Sequence, residues 1–161
     1  MTGARVGHGF DVHRLVAGRP FILGGVTIPF ETGPLGHSDG DTLTHAVCDA
    51  LLGAAALGDL GAHFPDTDPQ WKGANSLTLL AAVYEQLVRH GWTIGNIDAT
   101  VVVQLPKLKP YITPMRDALA DTLTLDVEAI SVKAKTSEGM GYTGDGSGIA
   151  AYAVALITSL P

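Results

Sequence analysis

Residues 7–14 read GHGFDVHR, and this stretch decides how the rest of the chain must be organised. Its alternation of apolar and polar residues is typical of a β-strand. Side chains of a strand point to opposite faces in turn, so Asp11 and His13 point the same way, while Phe10 and Val12 are expected to face the core. A carboxylate and an imidazole side by side supply two of the three protein ligands of an open catalytic zinc site. The sequence therefore predicts a third ligand elsewhere in the chain.

The composition predicts one compact globular domain over residues 1–161. A chain of this length buries about two thirds of its unfolded surface. A hydrophobic content of 46% with 16% charged residues argues against disorder. No apolar run approaches the roughly 18 residues of a membrane span and no secretory segment is evident, so neither a membrane nor export is expected. The single Cys48 cannot form an internal disulfide, which suits a reducing cytoplasm.

The net charge of the chain limits the kinds of ligand that it can bind. Sixteen acidic residues against ten basic ones give a net charge of −6, which argues against a nucleic-acid groove. An anionic small molecule would therefore need local positive charge or metal ions to bind.

Hydrophobic periodicity predicts both strands and helices. Strands are expected over residues 5–13, 94–104, 129–136 and 148–157, with a hairpin over 20–30 that turns at Gly24 and Gly25. Helices are expected over residues 41–58, capped by Asp39 or Asp41, and over 76–91 and 111–123. Loops are expected over residues 31–40, 59–75, 106–110 and 137–147.

The apolar run 148–157 decides the architecture. Periodicity alone does not separate a buried helix from a strand here, and we interpret it as a strand buried on both faces. Four or five strands with three helices predict a two-layer α/β sandwich, with the helices on one face of a mixed sheet. Because no fourth helix remains to cover the other face, we expect the sheets to pack together in an oligomer.

His45 is the candidate third metal ligand. It lies four residues after Asp41, so both residues project from one face of a helix near its N-terminus. A single histidine among six is more often a hydrogen-bonded structural residue. An aspartate and a histidine on one strand face together with a histidine at a helix start are harder to attribute to chance.

Two loops could hold an anion. Residues 37–41, HSDGD, concentrate hydrogen-bonding groups before a helix N-terminus, although a plain capping loop would have the same composition. Residues 133–138, KAKTSE, run from a strand into a glycine-rich loop with two lysines on one face. Hydroxyl, carboxylate and backbone amide groups suit a phosphate with a hard cation, but the glycines there could simply form turns.

Five blocks occur together in the order seen in one enzyme family. They are GHGFDVHR, HSDGD followed by His45, ALGDLGAHFPDTDPQWKGANS (56–76), QLPKLKPYI (104–112) and KTSEGMGYTGDG (135–146). On these blocks the chain resembles the 2-C-methyl-D-erythritol 2,4-cyclodiphosphate synthases essentially from end to end. The resemblance implies conversion of 4-diphosphocytidyl-2-C-methyl-D-erythritol 2-phosphate to the cyclic diphosphate and CMP, in non-mevalonate isoprenoid biosynthesis. In that reaction the 2-phosphate attacks the β-phosphorus, so no protein nucleophile is needed.

The resemblance also implies roles for individual residues. Asp11, His13 and His45 correspond to a zinc triad that takes a β-phosphate oxygen as its fourth ligand. Glu138 corresponds to the protein ligand of a second ion, magnesium or manganese, at the substrate diphosphate. His37 and Thr136 correspond to catalytic residues that stabilise the transition state. The active sites are expected at the subunit interfaces of a homotrimer.

The implied substrate-binding residues form three groups, namely the triad region, the loop for the erythritol part, and a cytidine pocket contributed across a subunit boundary. They are Asp11, Val12, His13, His37, Ser38, Asp59, Leu60, Gly61, Phe64, Pro65, Asp66, Thr67, Asp68, Val103, Gln104, Leu105, Pro106, Lys107, Leu108, Lys109, Lys135, Thr136, Ser137, Glu138 and Tyr142.

Two other classes of function use the same triad. A zinc hydrolase would activate water there, and Asp41 is the evident candidate for its general base. A non-catalytic trimer stabilised by metal would instead have a closed site with four protein ligands.

The chain departs from many relatives at two positions. Asp145 stands where many members have an arginine, and Tyr152 where they have a glutamate. Those arginines ring the threefold axis and can hold an isoprenoid diphosphate in the central cavity. Asp145 would repel such an anion, so we expect weak or no binding there.

Overall fold

The computed structural model describes residues 3–161, which form one mixed sheet, a small hairpin and helices. The strands are β1 (Ala4–Ala17), β2 (Phe21–Leu23), β3 (Val26–Ile28), β4 (Thr32–Pro34), β5 (Trp92–Val102), β6 (Ile130–Lys135) and β7 (Gly148–Ser159). The helices are α1 (Thr42–Ala54), α2 (Leu60–His63), α3 (Ser76–Arg89), α4 (Ile112–Leu123) and α5 (Gly141–Gly144). Short 3₁₀ turns cover Pro69–Trp71, Lys109–Tyr111 and Val127–Ala129.

The main sheet has five strands in the order β4-β1-β7-β5-β6. β1 pairs antiparallel with β4 and β7, β7 pairs antiparallel with β5, and β5 pairs parallel with β6. β2 and β3 form a separate hairpin. Its turn residues Gly24 and Gly25 have φ values of 55° and 73°, which a two-residue hairpin turn of the right twist requires. The predicted mixed sheet and hairpin are confirmed.

The three long helices cover one face of the sheet, as predicted. α1 packs on β1 and β7, α3 packs on α1, and α4 packs on β6. The core lies between these layers and is dominated by fully buried side chains such as Leu43, Leu51, Leu80, Ile97 and Leu119. Burial of such side chains stabilises the fold by roughly 1.5–3 kcal/mol each.

The expectation that Phe10 and Val12 face the core is wrong. Both side chains are 43% exposed, on the face of the sheet that carries no helix. The opposite face of β1 carries Gly7 and Gly9, where an added Cβ would lie 1.9 Å from a carbonyl oxygen of α1. That face packs against the helix backbone itself, and Asp11 and His13 share it.

β7 is a strand, but it is not buried on both faces. Ala151, Ala153 and Ala155 are buried on the helix side of the sheet, whereas Tyr152 and Val154 are 41% and 43% exposed on the other side. The small alanines allow α1 to lie close to the strand. A threefold contact through β7 would therefore use Tyr152 and Val154 rather than Ala153.

Some boundaries differ from the sequence prediction. β4, α2 and α5 lie inside segments that were expected to be loops, and all three are too short to give a periodic signal. α1 ends at Ala54, before Gly58, because the chain turns through a positive φ of 58° at Ala56. Within residues 3–161, no helix is both long and apolar enough to cross a bilayer.

Candidate active site

Asp11, His13 and His45 meet in one cluster. Asp11 Oδ2 lies 2.9 Å from His13 Nε2 and 3.0 Å from His45 Nδ1, and the two nitrogens are 3.3 Å apart. In the described part of the chain, this is the group of three acidic, histidine or cysteine side chains whose ligand atoms are close enough to share one ion. The triad predicted from the sequence is therefore assembled in space.

The close approach of β1 and α1 brings the triad together. Asp11 and His13 occupy alternate positions of β1, on the face that touches the helix. His45 lies in the first turn of α1, which begins after the N-cap residue Asp41. Because glycines stand next to the helix backbone, the strand comes near enough for Asp11 and His45 to touch.

Hydrogen bonds indicate which nitrogen of His13 is free for a metal. His13 Nδ1 lies 2.7 Å from the carbonyl oxygen of Leu35, and a carbonyl can only accept, so Nδ1 is the donor. In the neutral ring, Nε2 then carries no proton and points at Asp11. On His45 it is Nδ1 that faces Asp11, while Nε2 faces the hydroxyls of Ser38 and Ser76 at 3.1 and 2.8 Å. Three possible ligand atoms thus converge on one point, which suits a cation.

The electrostatics of the cluster agree with a cation site. Burial by itself would lower the pKa of His13, but the hydrogen bond and negative charge of Asp11 outweigh it and raise that pKa. Burial would raise the pKa of Asp11, but the two histidines hold it below its usual value. A metal that binds here competes with a proton for Nε2 of His13, so its affinity depends on pH.

The triad opens into a cavity of about 480 Å³. Eight further residues of the predicted substrate-binding set line it: His37, Ser38, Leu60, Gly61, Phe64, Pro65, Asp66 and Thr67. Two lining residues that sequence reasoning missed are Trp71 and Leu79, and the Trp71 ring stands edge-on to Phe64 at 4.9 Å. The wall therefore combines the triad with an apolar loop from the 59–75 segment.

Two predicted residues of this loop have structural contacts. The Asp59 carboxylate caps α2 by accepting from the Ala62 amide at 2.9 Å. The Asp68 carboxylate accepts from the Gln70 amide, and the Asp68 carbonyl oxygen lies 3.2 Å from His37 Nε2. The loop is also tied to α1, because Asp49 accepts from the Leu60 amide at 2.7 Å. Burial raises the pKa of the Asp49 carboxyl.

A second cavity, of about 200 Å³, lies at the ends of β5 and β6. Most of the predicted cytidine-pocket residues line it: Val103, Gln104, Pro106, Lys107, Leu108, Lys109, Lys135 and Thr136. Leu105 is 49% exposed beside it and lines a neighbouring depression. The segments 103–109 and 134–136 thus line one cavity, and its role as a cytidine pocket stays a prediction.

The two cavities are separate in the single chain. His13 pairs with Ile149, and Val102 pairs with Ala150 and Lys135, so both cavities lie at the same level of the sheet. β1 and β6 are three strand spacings apart, roughly 14 Å.

The loop that carries α5 lies beside the strands between the two cavities, and it holds Ser137, Glu138 and Tyr142. Thr136 Oγ1 donates to Glu138 Oε1 at 3.3 Å, and Ser137 Oγ lies 2.7 Å from Thr143 Oγ1. Tyr142 lines a further cavity with Val12 and His13. Thr136, Ser137 and Glu138 are therefore not brought to the triad within one chain.

Asp41 has a structural role. Its fully buried carboxylate accepts from the amides of Gly24, Gly25 and Thr44 at 2.8–3.0 Å, and from the Thr44 hydroxyl at 2.7 Å. Burial raises the pKa of this carboxyl despite those bonds. It joins the hairpin turn to α1 and has no free lone pair facing the triad. The expectation that Asp41 could serve as the general base of a hydrolase is therefore wrong.

The profile of the YgbB family matches residues 4–158. The chain is 57% identical over 159 residues to the 2-C-methyl-D-erythritol 2,4-cyclodiphosphate synthase of Thermosynechococcus vestitus, covering 99% of both chains. It is 58% identical over 153 residues to the synthase of the same name from Geobacter sulfurreducens, covering 95% of this chain and 98% of that one.

Solved structures of related proteins have the same fold as this chain. The bifunctional IspDF from Campylobacter jejuni superposes with a TM-score of 0.96 at 42% identity, and the match covers 99% of this chain but 43% of that longer one. A structure of 2C-methyl-D-erythritol-2,4-cyclodiphosphate synthase superposes with a TM-score of 0.88 at 40% identity, over 95% of this chain and 99% of the other.

Proposed function

This chain belongs to the YgbB family, and we propose that the cavity over Asp11, His13 and His45 is where it acts on its substrate. The chain converts 4-diphosphocytidyl-2-C-methyl-D-erythritol 2-phosphate to 2-C-methyl-D-erythritol 2,4-cyclodiphosphate and CMP. This reaction is a cyclisation in the non-mevalonate pathway to isoprenoid precursors. Its compartment, on our proposal, is the cytoplasm, which suits the buried free thiol of Cys48.

The observation that carries the proposed site is the convergence of three metal-ligating atoms at the wall of a cavity. The carboxylate oxygen and the two ring nitrogens point at one another across 2.9–3.3 Å. Three protein ligands with an open side are typical of a catalytic zinc site, whereas a structural site has four. Zn²⁺ held there would supply a Lewis acid that polarises a phosphate oxygen.

The chain's own residues then position the reacting groups. The attacking and leaving groups belong to one substrate, so holding its two phosphates together removes much of the entropic barrier. Ser38 is buried beside His45, and its hydroxyl can donate to the attacking phosphate. His37 lines the same cavity and stabilises the charge of the transferring phosphoryl group in the transition state. The loop over Leu60 and Phe64 holds the erythritol part and excludes water.

The second cavity takes the cytidine end of the substrate in this proposal. Lys107, Lys109 and Lys135 line it and provide the local positive charge that an acidic chain otherwise lacks. Thr136 stabilises the transferring phosphate, and the Glu138 carboxylate beside it can hold a magnesium or manganese ion at the diphosphate.

The separation of the two cavities supports a homotrimer with shared active sites. In a single chain the strands that border them, β1 and β6, are three strand spacings or roughly 14 Å apart, with β7 and β5 between them. The face of the sheet without helices exposes Val6, Phe10, Val12, Tyr152 and Val154. An apolar surface of this kind is typical of a protein interface. Packing three such faces around an axis would place one chain's triad against the neighbour's second cavity.

Product analysis tests the function. The purified protein with Zn²⁺ and Mg²⁺ is incubated with the cytidyl diphosphate substrate, and the products are identified by mass spectrometry. The proposal predicts cyclic diphosphate and CMP in equal amounts. Release of CMP with an open-chain 2,4-bisphosphate would instead indicate that water attacked the β-phosphorus, and it would contradict the proposed positioning of the 2-phosphate.

A further inference from the structure

We propose that Asp39 and Ser76 are positioning residues that fix the tautomer of His45, so that its Nδ1 is free for the metal. The inference rests on the proposed function, because it concerns the same metal site. Neither residue lines the cavity, and both lie behind the imidazole ring of His45, on the side away from Asp11.

The contacts form a continuous chain. Ser76 is fully buried at the first position of α3, and its hydroxyl oxygen lies 2.8 Å from His45 Nε2. The same hydroxyl donates to Asp39 Oδ1, and the Ser76 amide donates to Asp39 Oδ2 at 2.9 Å. The Asp41 amide, at 3.1 Å, also donates to Asp39 Oδ1. Backbone groups of two helix starts thus hold the carboxylate in place.

The direction of each hydrogen bond follows from what each group can do. An ionised carboxylate only accepts, so the single Ser76 hydroxyl proton points to Asp39. The Ser76 oxygen can then only accept from His45, which requires the proton on Nε2. In the neutral imidazole, Nδ1 is left with its lone pair, and Nδ1 is the atom 3.0 Å from Asp11 Oδ2. In many metal sites a carboxylate accepts directly from the histidine ring and so fixes its tautomer. Here Asp39 has the same effect on His45 through the Ser76 hydroxyl.

Ser38 does not reverse this assignment. Its hydroxyl oxygen is 3.1 Å from His45 Nε2 and would have to donate to that nitrogen to favour the other tautomer. An unprotonated Nε2 would then face the lone pairs of Ser76 at 2.8 Å with no proton between them. The Ser38 hydroxyl therefore keeps its own proton for the cavity, where the proposed function uses it. The two serines have different tasks.

The opposite tautomer would obstruct the metal. With a proton on Nδ1, His45 would donate to Asp11 Oδ2 and occupy two of the three ligand atoms with one hydrogen bond. The metal would have to break that bond and transfer the proton. Outer residues that orient a metal-bound histidine typically change metal affinity by about 10- to 100-fold, and we expect a loss of that size when the Ser76 hydroxyl is removed.

The test compares Ser76→Ala and Asp39→Asn with the wild type and with Thr78→Ala. Thr78 is exposed in the same first turn of α3, so its variant controls for changes in helix stability. Zinc affinity is measured by competition with a chromophoric chelator. The tautomer of His45 is read from ¹⁵N imidazole shifts in zinc-free protein, with the signal assigned by its loss in His45→Ala.

The expected result is an Nε2–H tautomer for His45 in the wild type and in Thr78→Ala. In Ser76→Ala the tautomer becomes mixed and zinc affinity falls about 10- to 100-fold. The double variant Ser76→Ala/Asp39→Asn should lose little more zinc affinity than Ser76→Ala alone, because Asp39 acts on His45 through the Ser76 hydroxyl. An Nδ1–H tautomer in the wild type, or unchanged tautomer and affinity in Ser76→Ala, would overturn the inference.

The proposed function fails on a different measurement. If the wild type bound zinc through an Nε2–H His45 but formed no cyclic diphosphate, the function would be contradicted and the positioning role retained. If the wild type formed the cyclic product while Ser76→Ala kept full zinc affinity, the proposed function would be retained and the positioning role contradicted.

Discussion

A Cβ atom on Gly9 would lie 1.9 Å from the carbonyl oxygen of Ala46, so β1 and α1 are in contact through their backbones. Gly7 has the same relationship to Ala50, one helical turn further along α1. Asp11 and His13 continue this face of β1. The distance between strand and helix, and with it the distance from Asp11 to His45, is therefore set by two residues that have no side chain.

Gly9→Ala should destabilise the fold by about 3 kcal/mol or more, because the new methyl group overlaps a helix backbone that cannot move without disturbing the core. The measurement is urea unfolding at fixed protein concentration, together with zinc content. We expect zinc to be lost from whatever protein remains folded, since α1 must move away from β1.

The control is Gly53→Ala, on the exposed side of the same helix, where an added Cβ meets nothing nearer than 3.9 Å. There the substitution should stabilise the protein by up to about 1 kcal/mol, because alanine favours the helix. Equal effects of the two substitutions would contradict the backbone contact.

The metal ligands give a second prediction. His13→Ala and His45→Ala should each lose bound zinc and cyclase activity while circular dichroism and oligomeric state stay unchanged, because an open catalytic site need not hold the fold together. His90→Ala, at the exposed C-terminal end of α3, is the matched control and should keep both metal and activity. Stoichiometric zinc with near-normal turnover in either triad variant would remove that histidine from the site.

Local patterns predicted the strand that carries Asp11 and His13 and the helix that carries His45. Alternation along a strand separates two faces but does not say which face is inside, so Phe10 and Val12 were assigned to the wrong one. The pair Gly7 and Gly9 contained the missing signal, because a glycine-rich face can receive a helix backbone. The contacts of Ser76 with Asp39 and His45 span 37 and 31 residues of chain, which no local pattern reports.

Assembly gives a third prediction. Val154→Glu should place three like charges near the proposed threefold axis and dissociate the trimer, measured by light scattering after size exclusion. Val88→Glu is the matched control, because Val88 and Val154 are both 43% exposed and Val88 lies on α3, away from the helix-free face. A stable, active trimer from Val154→Glu would show that β7 is not at the interface.

Asp145 gives a fourth prediction. Its carboxylate is exposed next to α5 and accepts from the Ser147 amide at 2.9 Å. In the proposed trimer, each of its copies would repel a diphosphate in the central cavity by on the order of 1 kcal/mol. Calorimetric titration with farnesyl diphosphate at physiological salt should detect no saturable binding, whereas Asp145→Arg should bind at one ligand per trimer. Micromolar binding to the wild type would show the charge argument to be wrong.

The separation of the two cavities across β7 has a genetic consequence. A triad variant such as His13→Ala and a second-cavity variant such as Lys135→Glu should each be inactive alone, yet restore activity when their chains are mixed, unfolded and reassembled. In a ring where each site takes its triad from one chain and its second cavity from the next, equal mixing leaves about a quarter of the sites intact. Two defective alleles would therefore complement one another in one cell. Sites completed within a single chain would give no recovery at any mixing ratio.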